Sequence, residues 1–265
     1  MQKVCIFLFS GTGMTRYVIG KLKSELEANQ VRADVHSIES THAGDVRLDG
    51  YDAICIAYPV HSFNAPKIVV DFAKRLPKTG VMDAFVVATA GESAPVNFAA
   101  SKLLIGILRK KGFNVFYDRQ FAMPGNFIVK DGEAKARRKI DAVNAEIPKT
   151  ARDIINRTAY RQKSSFFVST LAVLGRAEWL GAKWMGKLFY ADKSCARCGM
   201  CAQSCPNRNI IVTEKRVSFK WKCGLCMRCF YACPKQALNA RWPFRGVKLK
   251  DWYDHDALQA VKKWT

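Results

Sequence analysis

Apolar and polar positions divide the first 160 residues into short alternating blocks. Strand candidates are Lys3–Phe9, Val31–Ile38, Asp52–Tyr58, Ala84–Ala90 and Asn114–Ala122, and helical patterns lie between them near 13–28, 66–76, 95–111 and 133–157. In the first of these, Val18, Leu22 and Leu26 recur at i, i+4 and i+8, one face of a 3.6-residue repeat. Val4–Phe9 and Ile54–Ala57 are apolar throughout, which suits strands of a parallel sheet covered on both faces. Five such strands with helical crossovers predict a doubly wound α/β sandwich, whose ligands bind beyond the carboxyl ends of the strands.

Composition divides the chain again. It carries 43 Lys+Arg against 22 Asp+Glu, a net +21, with the excess concentrated after residue 150. Of ten cysteines, Cys5 and Cys55 stand alone inside apolar strands, where a thiol acts as a small hydrophobe. The other eight fall between Cys195 and Cys233. No apolar run reaches the roughly 18 residues that span a bilayer, and Met1–Phe9 suits a strand better than an export signal. A reducing, cytoplasmic setting is therefore expected, where clustered cysteines denote metal or redox chemistry.

The first predicted strand ends in Ser10-Gly11-Thr12-Gly13-Met14-Thr15-Arg16. Glycines permit a tight turn, and the following helix N-terminus offers free N–H groups to a phosphate. The Walker lysine is absent, and Arg16 takes the place of the third glycine of a dinucleotide fingerprint. Hydroxyls and main-chain donors suit a phosphate monoester better than a nucleoside triphosphate; a plain Gly/Thr turn with a helix cap is the alternative. Two further strand ends carry Tyr58-Pro59-Val60-His61-Ser62-Phe63-Asn64 and Thr89-Ala90-Gly91-Glu92-Ser93.

Together these three loops, in this order, resemble those of the flavodoxins. The resemblance covers residues 1–160 and implies a flavodoxin-like, doubly wound, five-stranded parallel sheet. It implies FMN held by Ser10–Thr15 at its phosphate and by Tyr58–Asn64 and Thr89–Glu92 around its ring, with Tyr58, His61 or Phe63 stacked on it. The Met123–Phe127 turn is expected to close over the flavin. One departure is visible: the Tyr58–Asn64 loop has no Gly, although many flavodoxins reorient a peptide there, and positive φ costs a non-Gly residue about 1 kcal/mol or more.

Cys195-x2-Cys198-x2-Cys201-x3-Cys205-Pro206 recurs 28 positions later as Cys223-x2-Cys226-x2-Cys229-x3-Cys233-Pro234. Each run resembles the C-x2-C-x2-C-x3-C-P pattern of bacterial two-cluster ferredoxins, in which the fourth cysteine ligates the other cluster. That resemblance implies a small α+β domain with two [4Fe–4S] clusters. Cys195, Cys198, Cys201 and Cys233 would hold one, and Cys223, Cys226, Cys229 and Cys205 the other. Structural zinc, which favours paired knuckles, is the competing reading. Asn209 departs from the usual Ala of the repeat, and Ile210–Val212 with Val217–Phe219 predicts a hairpin over the clusters.

The expected organisation is a flavodoxin-like domain at 1–158, an amphipathic connector at 159–192, a ferredoxin domain at 193–240 and a tail at 241–265. The connector reads as a strap between cofactor domains, with a peripheral membrane helix as its alternative. The combination matches flavodoxin–ferredoxin fusion proteins and implies a two-electron/one-electron converter serving an acidic redox protein or another low-potential donor or acceptor. An FMN-dependent reductase of a small molecule is the second reading. Nucleic acid is not expected, because the basic half shows no reading module.

Overall fold

The computed structural model describes residues 1–92, 94–125 and 131–241. The tail at 242–265, Ser93 and the Asn126–Phe127 part of the predicted flavin-closing turn lie outside the described residues.

Five strands arise where the apolar blocks predict them: β1 (Lys3–Leu8), β2 (Arg32–Ser37), β3 (Ala53–Pro59), β4 (Met82–Ala90) and β5 (Phe113–Ala122). Helices α1 (Met14–Ala28), α2 (Lys67–Arg75), α3 (Lys102–Lys110) and α4 (Glu133–Ile155) form the crossovers. All neighbouring strands run parallel, in the order β2-β1-β3-β4-β5-β6, where β6 is Tyr160–Arg161. The first five follow the flavodoxin-like order.

Strand β1 shows why its residues are all apolar. Val4, Ile6 and Leu8 enter the core on one side of the sheet with α1 and α4, while Cys5, Phe7 and Phe9 enter the core on the other side with α2 and α3. Cys5 and Cys55 are buried, as expected of core thiols, and burial pushes Cys5 up to about 12.

Three expectations need correction. The sheet has six strands, because Tyr160 and Arg161 pair with Tyr117 and Asp118; the first unit thus runs past residue 158. The helix expected from 95 starts only at Lys102, after a 3₁₀ turn at Pro95–Asn97 and a stretch in which Ala99 packs against the connector. The second unit begins before 193: β7 (Phe189–Ala191) pairs antiparallel with β10 (Leu238–Ala240).

The connector forms two short helices, α5 (Phe166–Gly175) and α6 (Glu178–Lys187), and is a strap on both units. Val168 and Ala172 pack with Ala99 and Phe63 of the sheet unit. Ala182 joins the core of the cysteine unit. Within that unit the predicted hairpin is present as β8 (Ile210–Val212) and β9 (Val217–Phe219), alongside α7 (Met200–Gln203) and α8 (Arg228–Tyr231). Among the described residues, no helix is long and apolar enough to cross a membrane.

Candidate functional site between the sheet and the cysteine repeat

The Ser10–Thr15 loop turns at Gly13, whose φ of 96° is left-handed and favours glycine. The Ser10 hydroxyl accepts from the Gly13 and Arg16 amides at 3.2 and 3.4 Å, which caps the start of α1 as the plain-turn alternative expected. Thr15 Oγ1 lies 2.8 Å from Thr89 Oγ1, so the loops after β1 and β4 are tied together.

Behind this loop lies a cavity of about 160 Å³. It is lined by Ser10, Gly11, Thr12, Met14 and Thr15, by Pro59–Ser62 and by Thr89–Gly91. Most of the loop residues expected around FMN therefore converge. Met123 and Pro124 of the turn after β5 line it too. Glu92 instead pairs with Lys135 and Lys139, while Lys139 Nζ donates to the Gly91 carbonyl at 2.5 Å and fixes the loop.

Two of the expected stacking aromatics point elsewhere. Tyr58 is fully buried in the α2/α3 core, with its hydroxyl 2.8 Å from Ser101 Oγ, because β3 alternates and sends Ile54, Ile56 and Tyr58 to one side. Phe63 packs against Val168 and Ala172 of α5. Asn64 is buried and clamps Ala172 O through Nδ2. Among the described residues His61 is the only ring of the three expected that lines the cavity.

The turn from His61 to Asn64 is closed by reciprocal main-chain hydrogen bonds of 2.9 and 2.8 Å. Its central residues, Ser62 and Phe63, have φ of 39° and 64°. The positive φ anticipated as costly at non-Gly positions is thus adopted, and α5 supports it: a Cβ on Gly175 would lie 2.2 Å from the Ser62 carbonyl oxygen.

The remaining wall was not anticipated. Leu225, Cys226 and Met227 of the second cysteine run, with Glu178 of α6, complete the cavity. A Cβ on Gly11 would lie 2.2 Å from the Cys226 carbonyl oxygen, so only glycine lets the two loops approach so closely. Arg228, next to them, donates to the Ser10 carbonyl at 2.5 Å, pairs with Glu39 and covers the Phe9 ring. His61, Glu178 and Cys226 also border a cleft of about 730 Å³ between the units. Burial holds His61 down near 4, against a hydrogen bond to the Gly224 backbone, and pushes Glu178 up to about 7.

The cysteine repeat is visible in the backbone. Positive φ recurs at 28-residue spacing in Arg197 and Leu225, Gly199 and Met227, and Arg208 and Gln236. The Asn209 and Ala237 amides donate to Cys205 Sγ and Cys233 Sγ at 3.2 and 3.3 Å, the same bond in each half. Cys195, Cys198, Cys201 and Cys233 border one small cavity. Burial raises the Cys201 thiol, and Cys195 and Cys233 raise it further. Cys229 is raised well above the usual thiol range by burial first, then by Cys226, Cys223, Cys205 and Cys201, so cysteines of both runs surround it.

Among the described residues no three His, Cys, Asp or Glu side chains converge as a site for one ion. Asn209, the departure from the repeat, is buried and accepts the Lys222 amide on Oδ1 at 2.7 Å, which steers the chain into Cys223.

The residues fit both kinds of group. Sulfur donors with N–H···S bonds suit an iron–sulfur cubane, and the α1 N-terminus beside Gly11 and the left-handed Gly13 suits a phosphate. The cavity as a whole, about 160 Å³, is below the roughly 300 Å³ of common ligand pockets. His61, Glu178 and Cys226 are shared with the larger cleft, so the cavity and the cleft adjoin at these residues.

Comparison with known proteins agrees with the cysteine unit. Residues 187–234, which include all eight clustered cysteines, match the 4Fe-4S dicluster domain family. The C-terminal unit is therefore a ferredoxin-like 4Fe–4S domain, joined to a flavodoxin-like α/β unit. No curated protein matches the chain. Among solved structures, flavodoxin 2 of Bacillus cereus is 14% identical with a TM-score of 0.41, over 59% of this chain and 99% of that one. Megasphaera elsdenii flavodoxin is 17% identical with a TM-score of 0.38, over 54% and 98%. Rubredoxin oxygen:oxidoreductase of Desulfovibrio gigas is 15% identical with a TM-score of 0.40, over 60% and 38%. The flavodoxin-like assignment rests on the strand order and not on these distant likenesses.

Proposed function

We propose that this chain is an electron-transfer flavo-iron-sulfur protein that passes electrons between FMN, two [4Fe–4S] clusters and an external redox partner. The supporting observation is the shared wall: Cys226, which would belong to the second ligand set, borders the cavity lined by the Ser10–Thr15 loop. When bound, FMN supplies a carrier of one or two electrons and each cluster a carrier of one, so the pair converts between the two modes.

The chain's own residues supply position. Ser10–Thr15 would hold the phosphate, while Pro59–Ser62 and Thr89–Gly91 would border the ring. Gly11 allows contact with Cys226, and Arg228 clamps that contact through Ser10 and Glu39. Cys195, Cys198, Cys201 and Cys233 would hold the outer cluster and Cys223, Cys226, Cys229 and Cys205 the inner one. Cys198 is exposed, which makes the outer cluster the port for a partner. Lys193 and Arg197 beside it favour an acidic redox protein, with an on-rate that falls as salt rises.

Anaerobic iron, sulfide and flavin analysis tests the reading. About eight iron, eight sulfide and one FMN per chain are expected; zinc in place of iron, or a chain that binds no flavin, overturns it.

A small-molecule reductase is the second reading, favoured by the 730 Å³ cleft. His61 Nδ1, Glu178 Oε2 and Trp179 Nε1 are buried beside it without hydrogen-bond partners. Reduction of a small acceptor that slows when Trp179 is replaced by Phe would favour it over a pure carrier.

A further inference from the structure

The strap's outer face is apolar. Phe166 and Phe167 are 89% and 75% exposed, and Leu174, Leu180 and Trp184 are each about two-thirds exposed. The inner faces of α5 and α6 are already engaged, through Val168, Ala172 and Ala182. Trp221 of the cysteine unit extends the patch, its ring 4.7 Å from that of Trp184 at 83°. Large apolar side chains left exposed along both helices of the strap mark an interaction site.

Cations accompany it. Lys163 precedes α5, Lys183 and Lys187 lie on α6, and Lys220 and Lys222 flank Trp221; Lys183, Trp221 and Lys222 also line the edge of the cleft between the units. Lys187 Nζ sits 5.2 Å from the Trp221 ring centroid. Segment 159–192 has only two acidic residues, Glu178 and Asp192, and one oxygen of Glu178 is buried.

We infer that this face docks on the surface of an anionic phospholipid bilayer, with α5 and α6 lying in the interface plane. Aromatic and aliphatic side chains at headgroup depth, bordered by lysines, satisfy apolar burial and charge neutralisation together. A second copy of the chain fits poorly, because a two-fold contact would bring this lysine-bordered face against itself. Docking would hold the cofactor units at the bilayer, within reach of membrane-embedded redox partners.

Flotation of the full-length holoprotein with vesicles tests this. At low salt the protein is expected to float with vesicles containing 30% phosphatidylserine and not with phosphatidylcholine alone, and to be released by salt. Lys163→Gln with Lys183→Gln should lower partitioning about 30-fold, from roughly fivefold per surface cation. Phe167→Ser, Leu174→Ser and Trp184→Ser, all at exposed sites, should each lower it about tenfold or more, with iron and flavin content unchanged.

Several outcomes would overturn the inference. One is no flotation in either vesicle, and another is binding indifferent to both variant sets. A third is flotation only by a chain ending at Arg241, whose amide donates to Leu188 O at the foot of the strap; the tail would then cover the face. The last is a dimer that the serine variants dissociate without any vesicle binding, which would identify a second copy as the occupant.

Discussion

Gly11→Ala places a methyl group where the two units meet. Its Cβ would lie 2.2 Å from the Cys226 carbonyl oxygen, 3.2 Å from the carbonyl carbon and 3.3 Å from Cys226 Cβ. Ordinary contact is roughly 3.5 Å, so one backbone segment must retreat by about 1 Å. That movement also stretches the 2.5 Å bond from Arg228 to Ser10 O. Overpacking of this kind costs about 1–3 kcal/mol, equivalent to a docking constant lowered about 5- to 150-fold.

Two measurements read it: amide exchange at Leu225–Met227 should accelerate, and electron exchange between flavin and cluster should slow. Gly44→Ala is the control, since a Cβ there meets nothing within 4 Å. Wild-type protection and wild-type exchange in Gly11→Ala would refute the close approach.

Arg228→Gln should loosen the same junction by about 2 kcal/mol, the worth of a hydrogen bond to a charged group; a double-mutant cycle with Glu39→Gln should show coupling between the two. Cys205→Ala should lower iron from about eight to about four per chain and abolish the EPR signal of the inner cluster, whereas Cys233→Ala should abolish that of the outer one. Asp118 is buried, and desolvation raises it from 3.8 to about 6. The native state then binds the proton more tightly, so stability falls as pH rises from about 4 to 6, by on the order of 3 kcal/mol. Asp118→Asn should flatten that slope in urea unfolding followed by circular dichroism; an unchanged slope assigns it to other groups. Gly175→Ala should push α5 off the Ser62 turn and cost about 1–3 kcal/mol, read as weaker FMN binding by fluorescence titration.

Local physics was legible in the chain. Strands β1 and β3 read correctly because both faces of each are covered, and the 28-residue cysteine repeat reappears as paired positive φ angles. The orientation of Tyr58 was also within reach: it continues the alternation of Ile54 and Ile56 into one core, which outweighs the preference for placing an aromatic beside a flavin. What no local pattern encodes is pairing across distance. Two-residue β6 and the β7–β10 ladder are too short to announce themselves, and their partners lie 43 and 47 residues away, as in Tyr117–Tyr160 and Ala191–Leu238. The wall formed by Cys226 against Gly11 depends on how the strap folds back, through Gly175 at Ser62 and Gly186 at Cys223.

Electron exchange between flavin and clusters within one chain is proposed to cross the Gly11–Cys226 contact. It is tested most directly by photoreducing the flavin anaerobically while the clusters are oxidised, then following both chromophores at several protein concentrations. Equilibration at a first-order rate independent of concentration is predicted. Exchange that is absent, or whose rate rises in proportion to protein concentration, would contradict it.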